Sequence, residues 1–271
     1  MTNLSAALEV ATATHSGMVR SHNEDSIATD ADIGLAVLAD GMGGYNAGEV
    51  ASGIAVELIR TEMQKTLSEK PPEPFNDQRA QQIILQHAMQ ANAAIYHASQ
   101  SQPQYSGMGT TLVVALWHDN QISVGHVGDS RLYRLRDSVL EQVTRDHSLL
   151  QEQIDSGMIT KEQARHSQNK NLVTRAVGID PEVETEVHTY PVQAGDIYLM
   201  CSDGLNDMVT DEDIQLTLAS LQANLPLAAQ QLVQQACDNG GRDNVSVILV
   251  RVLKDFAVRA GWMDKVKAWF S

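Results

Sequence analysis

Residues 34–52 read GLAVLADGMGGYNAGEVAS. The apolar run from Leu35 to Ala39 has the length and residue types of a buried strand. It ends on an acid, Asp40, and passes through Gly41, Gly43 and Gly44 into the start of a helical pattern. A carboxylate at the mouth of a core strand is out of place unless something binds it. Further short apolar segments recur at TLVVALW (111–117), QISVGHVG (121–128), SRLYRLR (130–136), DIYLMCS (196–202) and NVSVILVRVL (244–253). Asp119 and Asn120, between the first two of these, predict the tight turn of an antiparallel hairpin.

Two long helical patterns surround these segments. Val50, Ala51, Ile54, Ala55, Leu58, Ile59 and Met63 follow 3.6-residue spacing, and so do Ile83, Ile84, His87, Ala88, Ala91 and Ile95. The Pro-rich stretch EKPPEPFND (69–77) reads as the loop that joins them. A third pattern covers 226–237, with Ala229, Leu232, Val233 and Ala236 on one face. Strands and helices come in blocks and do not alternate, which predicts an α+β layered domain with helices outside antiparallel sheets. Residues 146–172 are polar, helical only in short pieces and rich in Gln and His, as in a surface excursion. The stretch 254–271 is amphipathic: Trp262, Val266, Trp269 and Phe270 can share a face. It is expected to dock on its own domain, the alternative being a weak membrane or partner contact.

The chain has 271 residues, 19 Lys and Arg against 34 Asp and Glu, and a net charge of −15. That field repels nucleic acid and anionic membrane, and it would repel a phosphorylated substrate unless cations were bound locally. Cys201 and Cys237 both lie in apolar segments and are expected to be buried thiols in a reducing compartment. The opening residues lack a basic region followed by an apolar stretch, and no run reaches the ~18 residues of a membrane span. The expectation is a soluble, cytoplasmic protein.

Asp40 has counterparts. Asp203 follows DIYLMCS, Asp243 precedes the last apolar run in GGRDNVS, Asp129 ends an apolar stretch in VGDSR, and RSHNEDS supplies Arg20, Glu24 and Asp25. Each acid alone reads as a turn residue or a helix cap. Strand-end carboxylates from several strands can, however, converge at one edge. Two carboxylates within ~5 Å repel by roughly 3 kcal/mol at an effective dielectric of 20, so such a cluster calls for cations. Oxygen donors without a His–Cys set favour Mg²⁺ or Mn²⁺ over Zn²⁺. Gly41, without a Cβ, would let its carbonyl turn toward an ion. Arg20 would be free to grip a phosphate oxygen. Rival motifs fail: GxGxxG needs glycine at Asn46, the EF-hand pattern needs an oxygen donor at Leu205, and no GxxxxGK[ST] is present.

In RSHNEDS (20–26), LADGMGGYNAGEVAS (38–52), GMGTTLVVAL (107–116), VGDSRLYRL (127–135), TRDHSL (144–149), TRAVG (174–178), GDIYLMCSDGLNDM (195–208) and GGRDNVSVILV (240–250), the chain resembles the metal-dependent serine/threonine protein phosphatases of type 2C, in their compact bacterial form. The resemblance runs in order over residues 14–253. It implies a β-sandwich of two antiparallel sheets flanked by pairs of antiparallel helices, in one domain spanning 1–253, with a flap over about 146–172. It further implies that Asp40 bridges two Mg²⁺ or Mn²⁺ ions, that Gly41 gives its carbonyl to one, and that Asp203 and Asp243 hold the other. Glu24 would belong to the metal site, orienting metal-bound water, Arg20 would bind the substrate phosphate, and Asp129 with Asp203 would hold a third, weaker ion.

The implied reaction is direct in-line hydrolysis of phosphoserine and phosphothreonine on proteins, opposing a bacterial kinase, by a monomer. A non-catalytic, phosphatase-like binding module is the alternative, although no core metal carboxylate is replaced. Met42 stands where animal members carry a histidine acid, so proton donation to the leaving group would fall to water on a metal, or the step would proceed without it. Met42 is expected to pack beneath the turn, and His147 and His166 of the flap to be surface or supporting residues.

Overall fold

The computed structural model describes residues 3–44, 46–68, 75–160, 163–164 and 172–258. Its strands form two sheets. One has the order β1 (Leu8–His15), β11 (Val245–Val252), β10 (Ile197–Cys201), β7 (Arg131–Arg136), β8 (Val139–Gln142). The other runs β2 (Asp25–Asp30), β3 (Leu35–Met42), β5 (Leu112–His118), β6 (Gln121–Val127), β9 (Glu186–Pro191), with the short β4 (Gly109–Thr110) also on β3. Every pairing between named strands is antiparallel. Asp119 and Asn120 both have positive φ, as the two-residue turn between β5 and β6 requires.

The apolar runs are continuous because these strands are buried on both faces. Along β3 and β5, Leu35, Val37, Leu112, Val114 and Leu116 pack against helices α1 (Ala47–Ser68) and α2 (Asp77–Ser101). The alternate residues, Ala36, Leu38, Val113, Ala115 and Trp117, face the other sheet and meet Tyr198, Met200, Ile248 and Val250. The outer face of the first sheet, with Leu199, Cys201, Val247 and Leu249, packs on α5 (Asp211–Leu221) and α6 (Leu225–Asp238). The result is four layers: helix pair, sheet, sheet, helix pair. Short helices among the described residues include α3 (Leu149–Asp155) in the excursion and α4 (Asp203–Asn206) directly after β10.

Two expectations are modified. Cys201 is buried, whereas Cys237 is only partly so, with its thiol beside His15 Nδ1 at 3.5 Å. Met42 does not pack beneath the turn; it is half-buried in β3 opposite Gly109 and joins none of the core clusters. His147, expected to be a surface or supporting residue, is buried, at 7% exposure, which leaves the supporting alternative. The start of the 254–271 stretch does dock on the domain: Phe256 N–H donates to Asn120 Oδ1 at 2.7 Å and its ring packs on the inter-sheet core. Trp262, Val266, Trp269, Phe270 and His166 lie outside the described residues, as does most of the loop 69–77. Among the described residues, no helix is long and apolar enough to cross a membrane.

Candidate active site

The acids singled out in the sequence gather where the two sheets meet at one end. Asp40 lies near the end of β3 and pairs across the ladder with Asp25 of β2. Like charges set opposite each other on adjacent strands are unfavourable. Asp203 opens α4, Asp243 precedes β11, and Asp129 sits in the turn from β6 to β7, where the chain passes from one sheet to the other.

The backbone there is tightly fixed. Asp40 N–H donates to Thr111 Oγ1 at 3.0 Å, and Asp40 O accepts from Thr110 Oγ1 and from Thr111 N–H, both at 2.8 Å. Thr111 Oγ1 also meets Ser130 Oγ at 2.7 Å, which ties Asp40 to the residue after Asp129. Asn244 joins the other flank: its Oδ1 accepts from Glu24 N–H at 2.8 Å, and its Nδ2 donates to Ser16 O at 3.0 Å and His22 O at 2.8 Å.

Gly41 is glycine for a steric reason. Its φ is ordinary, but a Cβ there would lie 2.0 Å from the carbonyl oxygen of Gly48. A Cβ on Gly48 would in turn lie 2.8 Å from the Glu24 carboxyl group. The absent Cβ atoms thus let the first turn of α1 close on the mouth of β3, with the Glu24 carboxylate against a helix N-terminus that favours negative charge.

Burial raises Glu24, Asp25, Asp40, Asp129 and Asp203, and the repulsion of neighbouring carboxylates adds to it. Asp40 is pushed well above the carboxylate range by burial and then by the charges of Asp25, Asp203, Asp129 and Asp243. Asp203 is pushed well above it by burial and then by Asp129, Asp207, Asp243 and Asp25. Burial carries Asp25 up to about 6, opposed by hydrogen bonds such as that from Ser202 Oγ at 2.8 Å. Burial, followed by the charge of Asp146, carries Asp129 up to about 7. Glu24 is raised as well, chiefly by burial.

Two oxygens, Asp25 Oδ1 and Asp203 Oδ1, are enclosed and lack any hydrogen-bond partner. Buried unpaired carboxylate oxygens are costly. An all-oxygen donor set with orphaned lone pairs and self-repelling charge fits hard divalent cations, so Mn²⁺ or Mg²⁺ suits these residues.

Arg20 is brought to the cluster but is not free. Its Nη2 donates to Asp243 Oδ2 at 2.7 Å while its side chain stays half exposed. This contact reflects the same electrostatics: the guanidinium is the cation that reaches Asp243 in this structure. A cavity of about 340 Å³ opens beside Asp129 and Asp203, bounded by Ile154 of α3 and by Asp146, Met208 and Asp211.

Asp25 is the site residue that the sequence reading named without assigning it a role. Its signal was present, since it lies one residue from Glu24 and opposite Asp40 once β2 is recognised as a strand. Thr111, Ser130, Ser202 and Asn244 carry no such signal: a buried hydroxyl or amide that fixes a backbone looks like any other polar residue.

A four-layer sandwich with an oxygen-only, cation-demanding cluster where its sheets meet is suited to chemistry on bound divalent cations. The sequence profile described as Protein phosphatase 2C matches residues 15–240, and the chain belongs to that family. Among curated relatives, the serine/threonine phosphatase stp of Listeria monocytogenes serotype 4b is 37% identical over 241 residues, 88% of this chain and 93% of that one. The serine/threonine protein phosphatase PstP of Mycobacterium tuberculosis is 38% identical over 93% of this chain and 46% of its own longer one. The crystal structure of the PstP catalytic domain in complex with two manganese ions is similar with a TM-score of 0.79 at 36% identity, covering 92% of this chain and 99% of that one. Stp1 of Staphylococcus aureus gives a TM-score of 0.84 at 32% identity, covering 93% and 98%. The chain is accordingly a phosphoprotein phosphatase.

Proposed function

We propose that the protein is a serine/threonine phosphatase, hydrolysing phosphoserine and phosphothreonine esters on proteins by direct in-line attack of water and opposing a Ser/Thr kinase. The observation that carries this reading is the convergence of Asp25, Asp40, Asp129, Asp203 and Asp243, with two carboxylate oxygens enclosed and unpartnered. In it, Asp40, the Gly41 carbonyl, Asp203 and Asp243 would hold two Mn²⁺ or Mg²⁺ ions, and Asp129, with Asp203, would hold a third, weaker one. Bound divalent ions lower the pKa of water toward neutrality and offset charge on the attacking and leaving oxygens.

The chain's own groups do the rest. Arg20 leaves Asp243 and grips two phosphate oxygens, holding the ester in line and offsetting charge as it builds. Glu24, fixed against the first turn of α1, accepts a hydrogen bond from the attacking water and orients it. Met42 offers no proton, so the leaving alkoxide takes its proton from solvent water. Residues 1–253 form the phosphatase domain and 254–271 an appended tail. A monomer in the cytoplasm is the form we assign, a location supported by the free buried thiol of Cys201.

The test is release of inorganic phosphate from a phosphothreonine peptide as Mn²⁺ is titrated. Asp40→Asn is expected to lower kcat by about 10²-fold or more with an unchanged circular dichroism spectrum. Wild-type rates in that variant would remove the cluster from the chemistry.

A further inference from the structure

Beside the root of the flap lies a group of side chains that the chemistry above does not use. His126 of β6 and His147, two residues before α3, are both buried and stack with ring centroids 4.7 Å apart and planes 17° apart. With Glu186 of β9 they bring three potential metal-binding atoms within 4.8 Å of one another. The hydrogen bonds of His147, which engage both of its ring nitrogens, decide against a metal. Gly128 N–H donates to His147 Nδ1 at 3.1 Å, so that nitrogen carries the lone pair. The proton of the neutral ring is then on Nε2, which donates to Glu186 Oε1 at 3.1 Å. A cation on Nε2 would require the proton on Nδ1, where it would confront the Gly128 N–H. His126 Nε2 likewise donates to the Arg145 carbonyl, at 2.8 Å. Burial holds His147 below its ordinary pKa, in keeping with a neutral ring.

Gly128 is an unusual place to put a side-chain hydrogen bond. It has φ +102°, a conformation that favours glycine, and a Cβ there would lie 2.7 Å from Thr111 Cγ2. His147 grips it twice, because the His147 N–H also donates to Gly128 O, at 2.9 Å. The next residue is Asp129, and Ser130 after it bonds Thr111, which holds Asp40. In the other direction His147 O accepts from Thr174 N–H at 2.8 Å, and Ser148 Oγ caps α3 through Gln151 N–H at 3.3 Å. One residue therefore fastens both the turn carrying Asp129 and the point where the flap leaves the sandwich.

We propose that His147, oriented by Glu186, is a positioning residue: a latch whose imidazole fixes the Gly128–Asp129 turn against the flap root, setting cation affinity at Asp129 and the placement of α3 together. The cation part rests on the assignment of Asp129 made under Proposed function; the latch itself does not.

The experiment uses the full chain with Mn²⁺ alone as probe. Nitrogen-15 spectra of wild-type histidines should give His147 the Nε2–H form; an Nδ1–H form overturns the latch. In His147→Ala, exchange of the Gly128 amide should quicken about tenfold, as loss of one buried hydrogen bond implies, and the weaker step of a calorimetric Mn²⁺ titration should weaken about tenfold. His147→Asn, whose amide oxygen can take the place of Nδ1, should restore both to within about threefold. Should His147→Ala not fold, Glu186→Ala is expected to quicken Gly128 exchange, whereas Glu186→Gln, still an acceptor, leaves it as in wild type. Unchanged Gly128 exchange in both His147→Ala and Glu186→Ala overturns the proposal. Asp129→Asn separates the two readings: if it keeps the weaker Mn²⁺ step, Asp129 is not the ligand, and Gly128 exchange still decides the latch.

Discussion

The acid cluster makes the cation-free protein's stability run against the usual pH trend of carboxylates. Asp129, raised to about 7 from 3.8, stays protonated in the fold over a range where the unfolded chain has released that proton. Stability is then greatest below the unfolded value and is lost as pH climbs through the window from 3.8 to about 7. At about 1.4 kcal/mol for each pH unit, Asp129 alone removes ~2 kcal/mol between pH 5.5 and 7. Asp25, raised to about 6, acts in the same direction over a narrower span. Urea unfolding followed by circular dichroism, with a chelator present, should show the midpoint falling from pH 5.5 to pH 8. General repulsion in a chain of charge −15 has the same sign. The decisive quantity is therefore the difference between wild type and Asp129→Asn, whose pH dependence should be flatter by ~2 kcal/mol. Asp238→Asn, exposed on α6, serves as a charge control. Saturating Mn²⁺ should reverse the trend, because ions bind the ionised carboxylates. Equal pH slopes in wild type and Asp129→Asn would refute the argument.

Arg20→Ala should raise KM for a phosphothreonine peptide about tenfold or more, with little rescue by Lys, since the forked contact is lost. The same variant frees Asp243 from an ion pair worth at most about 1 kcal/mol, so calorimetric Mn²⁺ affinity should rise up to about fivefold; a fall would contradict competition between Arg20 and the cation. Gly41→Ala places a Cβ 2.0 Å from a backbone oxygen and should cost about 3 kcal/mol or more in urea unfolding. Gly44→Ala, with nothing within 4 Å, should stay within about 0.5 kcal/mol of wild type.

The strands that the sequence makes legible are those buried on both faces. LAVLA, TLVVALW and NVSVILVRVL are apolar at consecutive positions, so length and turn signals were enough to find them. β1, with Glu9, Thr12 and Thr14 among its residues, β2 with an acid at each end, and the four-residue β8 lack such runs. They are strands because neighbours supply their ladders, which is tertiary information. α5 begins with three acids, and its apolar face is only Ile214 and Leu218 among buried hydrophobics.

For the site, the acids at strand ends were visible one by one, whereas their convergence depends on register: Asp25 faces Asp40 only because β2 and β3 pair as they do. The reason for Gly41 could not be read locally either, since the atom it must avoid belongs to Gly48, seven residues on and in another element. Arg20 was legible as a cation near acids but not as the partner of Asp243, which is 223 positions away.

The hydrogen bonds at the site join elements that belong to different sheets. Ser202, beyond β10, donates to Asp25 of β2, and Asn244, beside β11, accepts from Glu24, at the start of β2. The candidate active site is thus also a seam, sewn only after both halves of the sandwich have formed and met. Asn244 holds Glu24 only while β11 and β2 are both in place, so cation-binding competence would report that the two sheets have met. Parting of the sheets would break these bonds and leave each sheet's own ladders paired.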